Sequence, residues 1–134
     1  YNFADYWAHW LSFSERSSKL PQIFHVNWFR QDADGRFLWP GFGENMRVLE
    51  WIIRRCKGSA DAVETAIGYL PTDDGLNLDS VNLNEGDWAA LRHVDKEQWL
   101  SEMQDVGEYL RSYGDRTPSK LLDEHQRVVN NLSA

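Results

Sequence analysis

The chain has 134 residues, with 14 basic and 21 acidic side chains, a net charge of −7 and a single cysteine. That length suffices for a domain that folds without disulfide or metal staples, and the acidic balance excludes a general nucleic-acid binder, which needs a basic face for phosphates. Cys56 has no partner for an internal bridge, which points to a reducing compartment, the cytoplasm, and no apolar run is long enough for a membrane span or a signal peptide.

The sequence opens at Tyr1, directly in an aromatic amphipathic stretch, the pattern expected of a piece of a longer protein. Phe3, Tyr6, Trp7, Trp10 and Leu11 recur at helical spacing, so residues 3–13 are predicted as an amphipathic helix, ended by the serines of 12–18 and by Pro21. Residues 22–29 (QIFHVNWF) form a β-branched and aromatic run, the pattern of a largely buried strand. Asp34-Gly35 is a hairpin-type turn that sends the chain back through Arg36, Phe37 and Leu38. Pro40, Gly41 and Gly43 then interrupt regular structure, and Asn45 occupies an N-cap position before a helix predicted over 46–56, closed by Lys57-Gly58.

A second strand is predicted over 66–70, stopped by Pro71, followed by a loop over 72–86 anchored by Leu76, Leu78 and Val81. Two helices complete the chain. One places Trp99, Met103, Val106, Leu110 and Tyr113 on a single face, and the other does so for Leu121 or Leu122, His125, Val128 or Val129, and Leu132. The expected class is α/β with a mixed α+β appearance: a mostly helical lobe with two or three strands, closer to the edge of a larger domain than to a finished sheet.

Charge and aromaticity run in opposite directions. Up to Lys57 there are 8 basic and 6 acidic residues, and beyond it 6 and 15. Of the 18 aromatic residues, 13 lie within 1–51, so ligand chemistry is expected in the front of the chain. Several chemistries are missing. No G-x-x-x-x-G-K-S/T phosphate loop occurs, the four histidines make no H-x-x-x-H pair, and Asp32-Ala33-Asp34-Gly35 fails as a calcium loop because Arg30 and Gly41 would have to be ligands. Cys56 and His125 fall on apolar helix faces and read as packing, while Asp73-Asp74 and Asp123-Glu124 read as solvated acids.

Residues 24–51, FHVNWFRQDADGRFLWPGFGENMRVLEW, closely resemble the C-terminal guanine-binding segment of GTP-dependent phosphoenolpyruvate carboxykinase. The likeness extends outward. Tyr1-Asn2-Phe3 through Trp10-Leu11 resembles the helix that follows that enzyme's mobile lid, and Ile67-Gly68-Tyr69-Leu70-Pro71 its later strand, whereas the acidic helices of 95–132 match only in character. Met46 departs from the pattern, which has a small polar residue there. The resemblance implies a single C-terminal lobe over 1–134, supplying the guanine pocket of an enzyme that converts oxaloacetate and GTP to phosphoenolpyruvate, GDP and carbon dioxide. It implies manganese in the catalytic site and magnesium on the nucleotide, both held by residues upstream of Tyr1, as are the phosphate loop, the catalytic cysteine and the lid. A chain lacking those parts is expected to be inactive alone. The implied partners are GTP or GDP and the remainder of a usually monomeric enzyme, with neither nucleic acid nor membrane.

The residues implied in nucleotide contact are Phe29, Phe37 and Phe42 around the base, Asn45 as its reader, and the stretch Phe42-Gly43-Glu44-Asn45. Their chemistry suits that work. Aromatic faces hold a base by stacking, worth about 1–3 kcal/mol each and nearly blind to base identity. Specificity needs hydrogen bonds: an Asn amide can donate its NH2 to guanine O6 and accept from N1–H, whereas adenine presents those two functions in reverse order. Pro40, Gly41 and Gly43 allow close backbone approach to a ring. On the residues alone, each Phe is more often a core residue than a ligand contact, Asn45 could equally be a plain helix cap, and Glu44 could serve the helix dipole. Trp28, Trp39 and Trp51 are assigned to packing. Two other classes share the aromatics: a stand-alone module that stacks a nucleotide or single-stranded base without catalysis, and a protein-interaction domain. The first of these would call for a basic stripe, which is absent.

Overall fold

In the computed structural model, which describes residues 2–134, Asn2 begins the first helix by accepting the Ala4 N–H on its side-chain carbonyl at 2.8 Å. Tyr1, counted among the front aromatics and in the resemblance, lies outside the described residues. The helix, α1, runs Phe3–Arg16, three residues beyond the expected end. Ser12 and Ser14 continue it, because their hydroxyls donate back to the carbonyls of His9 and Leu11 at 2.7 and 2.8 Å. The expected apolar face divides into two stripes. Ala4 is buried and Trp7 and Leu11 are half-buried, while Phe3, Tyr6, Trp10 and Phe13 form an exposed second row. That row packs on itself, with ring centroids 5.7–6.0 Å apart from Phe3 to Tyr6, Trp10 and Phe13. Five large aromatics on fourteen residues cover too wide an arc to face one way.

The single lobe read from the sequence comprises two compact units. One is Tyr1–Pro21 with Val94–Ala134, the other Gln22–His93. In the first, Asp95 caps α4 (Lys96–Arg111) by accepting the Gln98 N–H at 3.0 Å, and α5 (Ser119–Ser133) returns after a tight turn at Gly114. The periodicity locates the inward faces of both helices. Leu110 and Leu132 are buried, Trp99, Met103, Val106, Tyr113, Leu121, His125, Val128 and Val129 are half-buried, and Leu122 is exposed. Trp7 of α1 meets Tyr113 and Tyr109 edge to face at 4.9 and 6.0 Å. His125 bonds to the Met103 carbonyl at 2.7 Å, and a Cβ at Gly107 would come within 2.9 Å of the same ring nitrogen.

In the second unit, residues 22–29 do not form the expected strand. The described sheet has only two strands, β1 (Ala62–Thr65) and β2 (Gly68–Pro71), paired antiparallel with Ala62 opposite Pro71 and Thr65 opposite Gly68. With no strand partner, the run delivers its side chains singly. Phe24 and Trp28 join the core, while Ile23 and Val26 remain exposed. The strand expected over 66–70 begins at Gly68, because Ala66 and Ile67 form the turn of the hairpin and the Thr65 hydroxyl donates to the Gly68 carbonyl across it at 2.6 Å. β1 was not visible in the pattern, since Glu64 and Thr65 weaken its apolar signal.

Helix α2 (Asn45–Cys56) follows a 3-10 turn, Phe42–Glu44, and carries Val48, Trp51 and Ile52 into a core completed by Trp39 and Leu76. Its C-terminus closes at Lys57 and Gly58 as expected, with the Lys57 N–H bonded to the Ile53 carbonyl at 3.1 Å. Cys56 sits exposed at this end rather than packed, because the inward stripe is held by Val48, Trp51 and Ile52. A short helix, α3 (Asp87–Arg92), forms where the sequence suggested no element. Among the described residues no helix is long and apolar enough to cross a membrane.

Candidate functional site

The loop of residues 30–38 is pinned at both ends and across its middle. Leu38 N–H donates to the Arg30 carbonyl at 2.9 Å, Asp32 N–H to the Arg36 carbonyl at 3.0 Å, and Gln31 pairs with Phe37 as a single antiparallel bridge. Asp32 organises the Asp34-Gly35 turn: one carboxylate oxygen accepts the N–H groups of Asp34 and Arg36 at 3.0 and 2.9 Å, the pattern of an Asx turn. The Arg36 guanidinium forks onto buried Asp87 at the start of α3, at 2.8 and 3.1 Å, and also meets Asp32 at 3.0 Å. Arg30 donates to the carbonyls of Leu91 and His93 at the other end of α3, at 3.1 and 3.2 Å. Held by that guanidinium, and helped by the Asn84 N–H, Asp87 stays below the ordinary carboxylate range.

This frame sets up the aromatic residues. Asn27 accepts the Phe29 N–H at 2.9 Å, making a turn that leaves Trp28 half-buried and points Phe29 outward, 72% exposed. Phe37 comes beside it, with ring centroids 6.1 Å apart at 65°. Gly41, at φ 83° and ψ −166°, takes a backbone conformation closed to residues with a Cβ and turns the chain into Phe42–Glu44. Phe42 at the head of that turn is 97% exposed. An open hollow of about 470 Å³ lies among these groups, walled by Trp28, Phe29, Phe37, Pro40, Phe42 and Asn45, with Arg36, Trp39 and Gly41 completing it.

Four of the six residues named from sequence, Phe29, Phe37, Phe42 and Asn45, therefore border one hollow, and Gly43 and Glu44 do not. Gly43 leaves its side of the turn open, with nothing within 4 Å of where a Cβ would stand. The Glu44 carboxylate pairs with Arg47, which also donates to the carbonyls of Asn77 and Asp79 at 2.6 and 3.0 Å. Asn45 is not the helix N-cap. It is the first helical residue, at φ −58° and ψ −28°, and Glu44 precedes it without a side-chain cap bond. The 3-10 turn feeds directly into α2, and its own bonds already take the Glu44 and Asn45 N–H groups, on the carbonyls of Gly41 and Phe42. Its Oδ1 instead accepts the indole N–H of Trp39 at 2.8 Å.

Trp28, Trp39 and Arg36 are the members that sequence reasoning missed. Trp39 is buried as expected of packing, but its indole nitrogen also holds the amide of the hollow. The metal ions implied by the resemblance find no donor set here, since among the described residues no three His, Cys, Asp or Glu side chains gather to hold one.

The family described as Phosphoenolpyruvate carboxykinase C-terminal P-loop domain matches the chain over residues 1–131. The chain is 51% identical over 134 residues to the phosphoenolpyruvate carboxykinase (GTP) of Chlamydia pneumoniae, covering 98% of this chain and 22% of that protein. It is 47% identical over 133 residues to that of Chlamydia muridarum, with the same coverage. Against that of Thermoplasma volcanium it is 48% identical over 126 residues, 94% of this chain and 21% of that protein. The chain thus spans about a fifth of the length of the curated relatives it matches.

Proposed function

The chain belongs to the family of GTP-dependent phosphoenolpyruvate carboxykinases, and we propose that its Gln22–His93 unit supplies the guanine-binding pocket of such an enzyme. The protein it serves converts oxaloacetate and GTP to phosphoenolpyruvate, GDP and carbon dioxide, acts in the cytoplasm, and binds manganese and magnesium through residues outside this chain. No step of phosphoryl transfer is assigned to these 134 residues.

One observation carries the reading. Phe42 stands almost wholly in water at an apolar hollow that the amide of Asn45 also lines. An exposed aromatic ring gains little for the fold, whereas a base laid on it removes two apolar faces from water at once. Phe29 and Phe37 supply further ring surface, and Asn45 supplies a donor and an acceptor for the edge of a base. Gly43 and Glu44 contribute through the turn, where the open side of Gly43 admits close approach of a ligand.

Titration of GTP, ATP and a single-stranded oligonucleotide into the chain, followed by amide chemical shifts, tests the assignment. GTP is expected to move residues 27–45 at lower concentration than ATP, and the oligonucleotide to leave them unmoved. In the full enzyme, Asn45→Ala is expected to lower the ratio of kcat/KM for GTP over ATP. A ratio unchanged by Asn45→Ala would remove Asn45 as the reader. Equal response to all three ligands would favour a non-selective stacking module instead.

A further inference from the structure

We propose that Trp39 is a positioning residue that sets base choice, by locking the Asn45 amide in the orientation that reads guanine and rejects adenine. The inference rests on the reading of the hollow as a base pocket. It adds something that reading leaves open, namely why an amide with two nearly symmetric ends should present only one of them.

An Asn side chain can turn by 180° about its last torsion at little intrinsic cost, exchanging its carbonyl oxygen and its NH2 group. A freely turning amide would read both purines. In one orientation it donates toward O6 and accepts from N1–H, as guanine requires. In the other it accepts from the N6 amino group and donates to N1, as adenine requires. Selectivity therefore depends on something outside the base holding one orientation.

Trp39 is built to do this. An indole N–H is a donor only, so the atom facing it at 2.8 Å must be Oδ1 and not Nδ2. Trp39 is 5% exposed and packs with Trp51 and Leu76, so the ring cannot swing away to find water. Turning the amide would set its NH2 against the indole N–H, two donors face to face, and leave a buried donor unpaired. That disfavours the turned form by about five- to 150-fold. Oδ1 keeps a second lone pair for N1–H, and both Nδ2 hydrogens stay free of this contact, so the lock leaves the guanine-reading functions available.

Trp39→Phe keeps most of the packing and deletes the N–H. Equilibrium binding of GDP, IDP and ADP to the full chain, native and Trp39→Phe, is the test. In the native chain GDP and IDP, which share the O6 and N1–H edge, are expected to bind more tightly than ADP. In Trp39→Phe the ratio of ADP to GDP dissociation constants is expected to fall at least about five-fold, with IDP following GDP and ADP itself gaining. A role in packing alone would weaken all three nucleotides together and leave the ratio in place, which would overturn the proposal. If Trp39→Phe does not fold, site-specific replacement by benzothienylalanine retains the bicyclic shape, puts sulfur in place of N–H, and is expected to give the same loss of ratio. A native chain that binds ADP as well as GDP would overturn the pocket reading itself, whereas a native preference unchanged by either replacement would overturn only the lock.

Discussion

The two units of the chain both leave aromatic rings in water, and they do so in different ways. On α1 the exposed row Phe3, Tyr6, Trp10 and Phe13 sits on regular helix, each ring against its neighbour, with His9 and Arg16 of the same helix packed on Phe13. In the Gln22–His93 unit, Phe29, Phe37 and Phe42 sit on irregular backbone, on turns that Asn27, Asp32 and Gly41 shape, and they face a hollow with an amide on its wall. Exposure of apolar rings is common to both, so exposure alone does not mark a site. The distinguishing features are turn-held rings gathered around one hollow instead of strung along a helix, and a hydrogen-bonding group on its wall whose orientation is set from the core side.

The largest expected effects break the two units separately. Trp51 is the buried centre of one, in contact with Phe24 at 6.1 Å between centroids and with its indole N–H on the Asp61 carbonyl at 3.3 Å. Trp51→Ala is expected to cost about 3–5 kcal/mol of stability, and Leu132→Ala, at the buried end of α5, about 2–5 kcal/mol. Amide exchange resolved by residue separates them. Protection should fall over residues 45–76 for the first and over 96–133 for the second.

A smaller effect sharpens the contrast between the two aromatic sets. Phe42→Ala is expected to leave stability within about 0.5 kcal/mol, because the ring touches little, and to weaken GTP and ITP equally by about 1–3 kcal/mol. Trp10→Ala, which also removes an exposed ring, is expected to leave nucleotide affinity unchanged. A loss of nucleotide affinity in Trp10→Ala equal to that in Phe42→Ala would dissolve the distinction.

Acid should act more strongly on the frame of the hollow than on the helices. Asp87 is buried, and the Arg36 fork holds its folded pKa below the ordinary 3.8, so its contribution is whole above that value and is lost as the pH falls through the lower folded one. Glu124 is likewise lowered, from 4.5, by Arg127, but both side chains are more than half exposed, so solvent screens the pair. Below about pH 4, Asp87→Asn is expected to flatten the acid limb of the unfolding curve of residues 22–93, while Glu124→Gln changes that of α5 little. An acid limb identical in native and Asp87→Asn chains would show that the fork contributes no folding energy.

These regions also differed in how far the sequence disclosed them. The stripes of α4 and α5 were legible almost side chain by side chain, since a helix buries a fixed period and the apolar residues repeat it. The strand expected over 22–29 was not there, because β-propensity describes how a residue fits a sheet and this run has no neighbouring strand to pair with. α1 misled in a different way: spacing locates a helix but does not say which of two adjacent aromatic stripes the rest of the unit covers. At the hollow, the family resemblance and the turn chemistry of Asp34-Gly35 and Gly41 brought Phe29, Phe37, Phe42 and Asn45 into view. The bond from Trp39 to Asn45 was beyond reach, because a side-chain contact six residues apart through a 3-10 turn has no periodic signature.

The smallest effect concerns the helical unit, where packing leaves no room for even one methyl. Gly107 in the middle of α4 gives up about 1 kcal/mol of helix propensity relative to Ala. A Cβ there would stand 2.9 Å from His125 Nε2 and 3.1 Å from Arg111 Nη1. Arg111 is exposed and can move, but the His125 ring is held by its 2.7 Å bond to the Met103 carbonyl. Moving it loses that bond, about 0.5–1.5 kcal/mol, and forces a rotamer change of about the same size. Taken together those two losses outweigh the helical gain at mid-range, so Gly107→Ala is expected to destabilise the chain by about 1 kcal/mol, and by no more than about 2 kcal/mol, in urea unfolding. With the ring removed the sign should reverse: adding Gly107→Ala to His125→Ala is expected to stabilise by about 1 kcal/mol. If Gly107→Ala destabilises both backgrounds equally, the glycine answers to some contact other than His125.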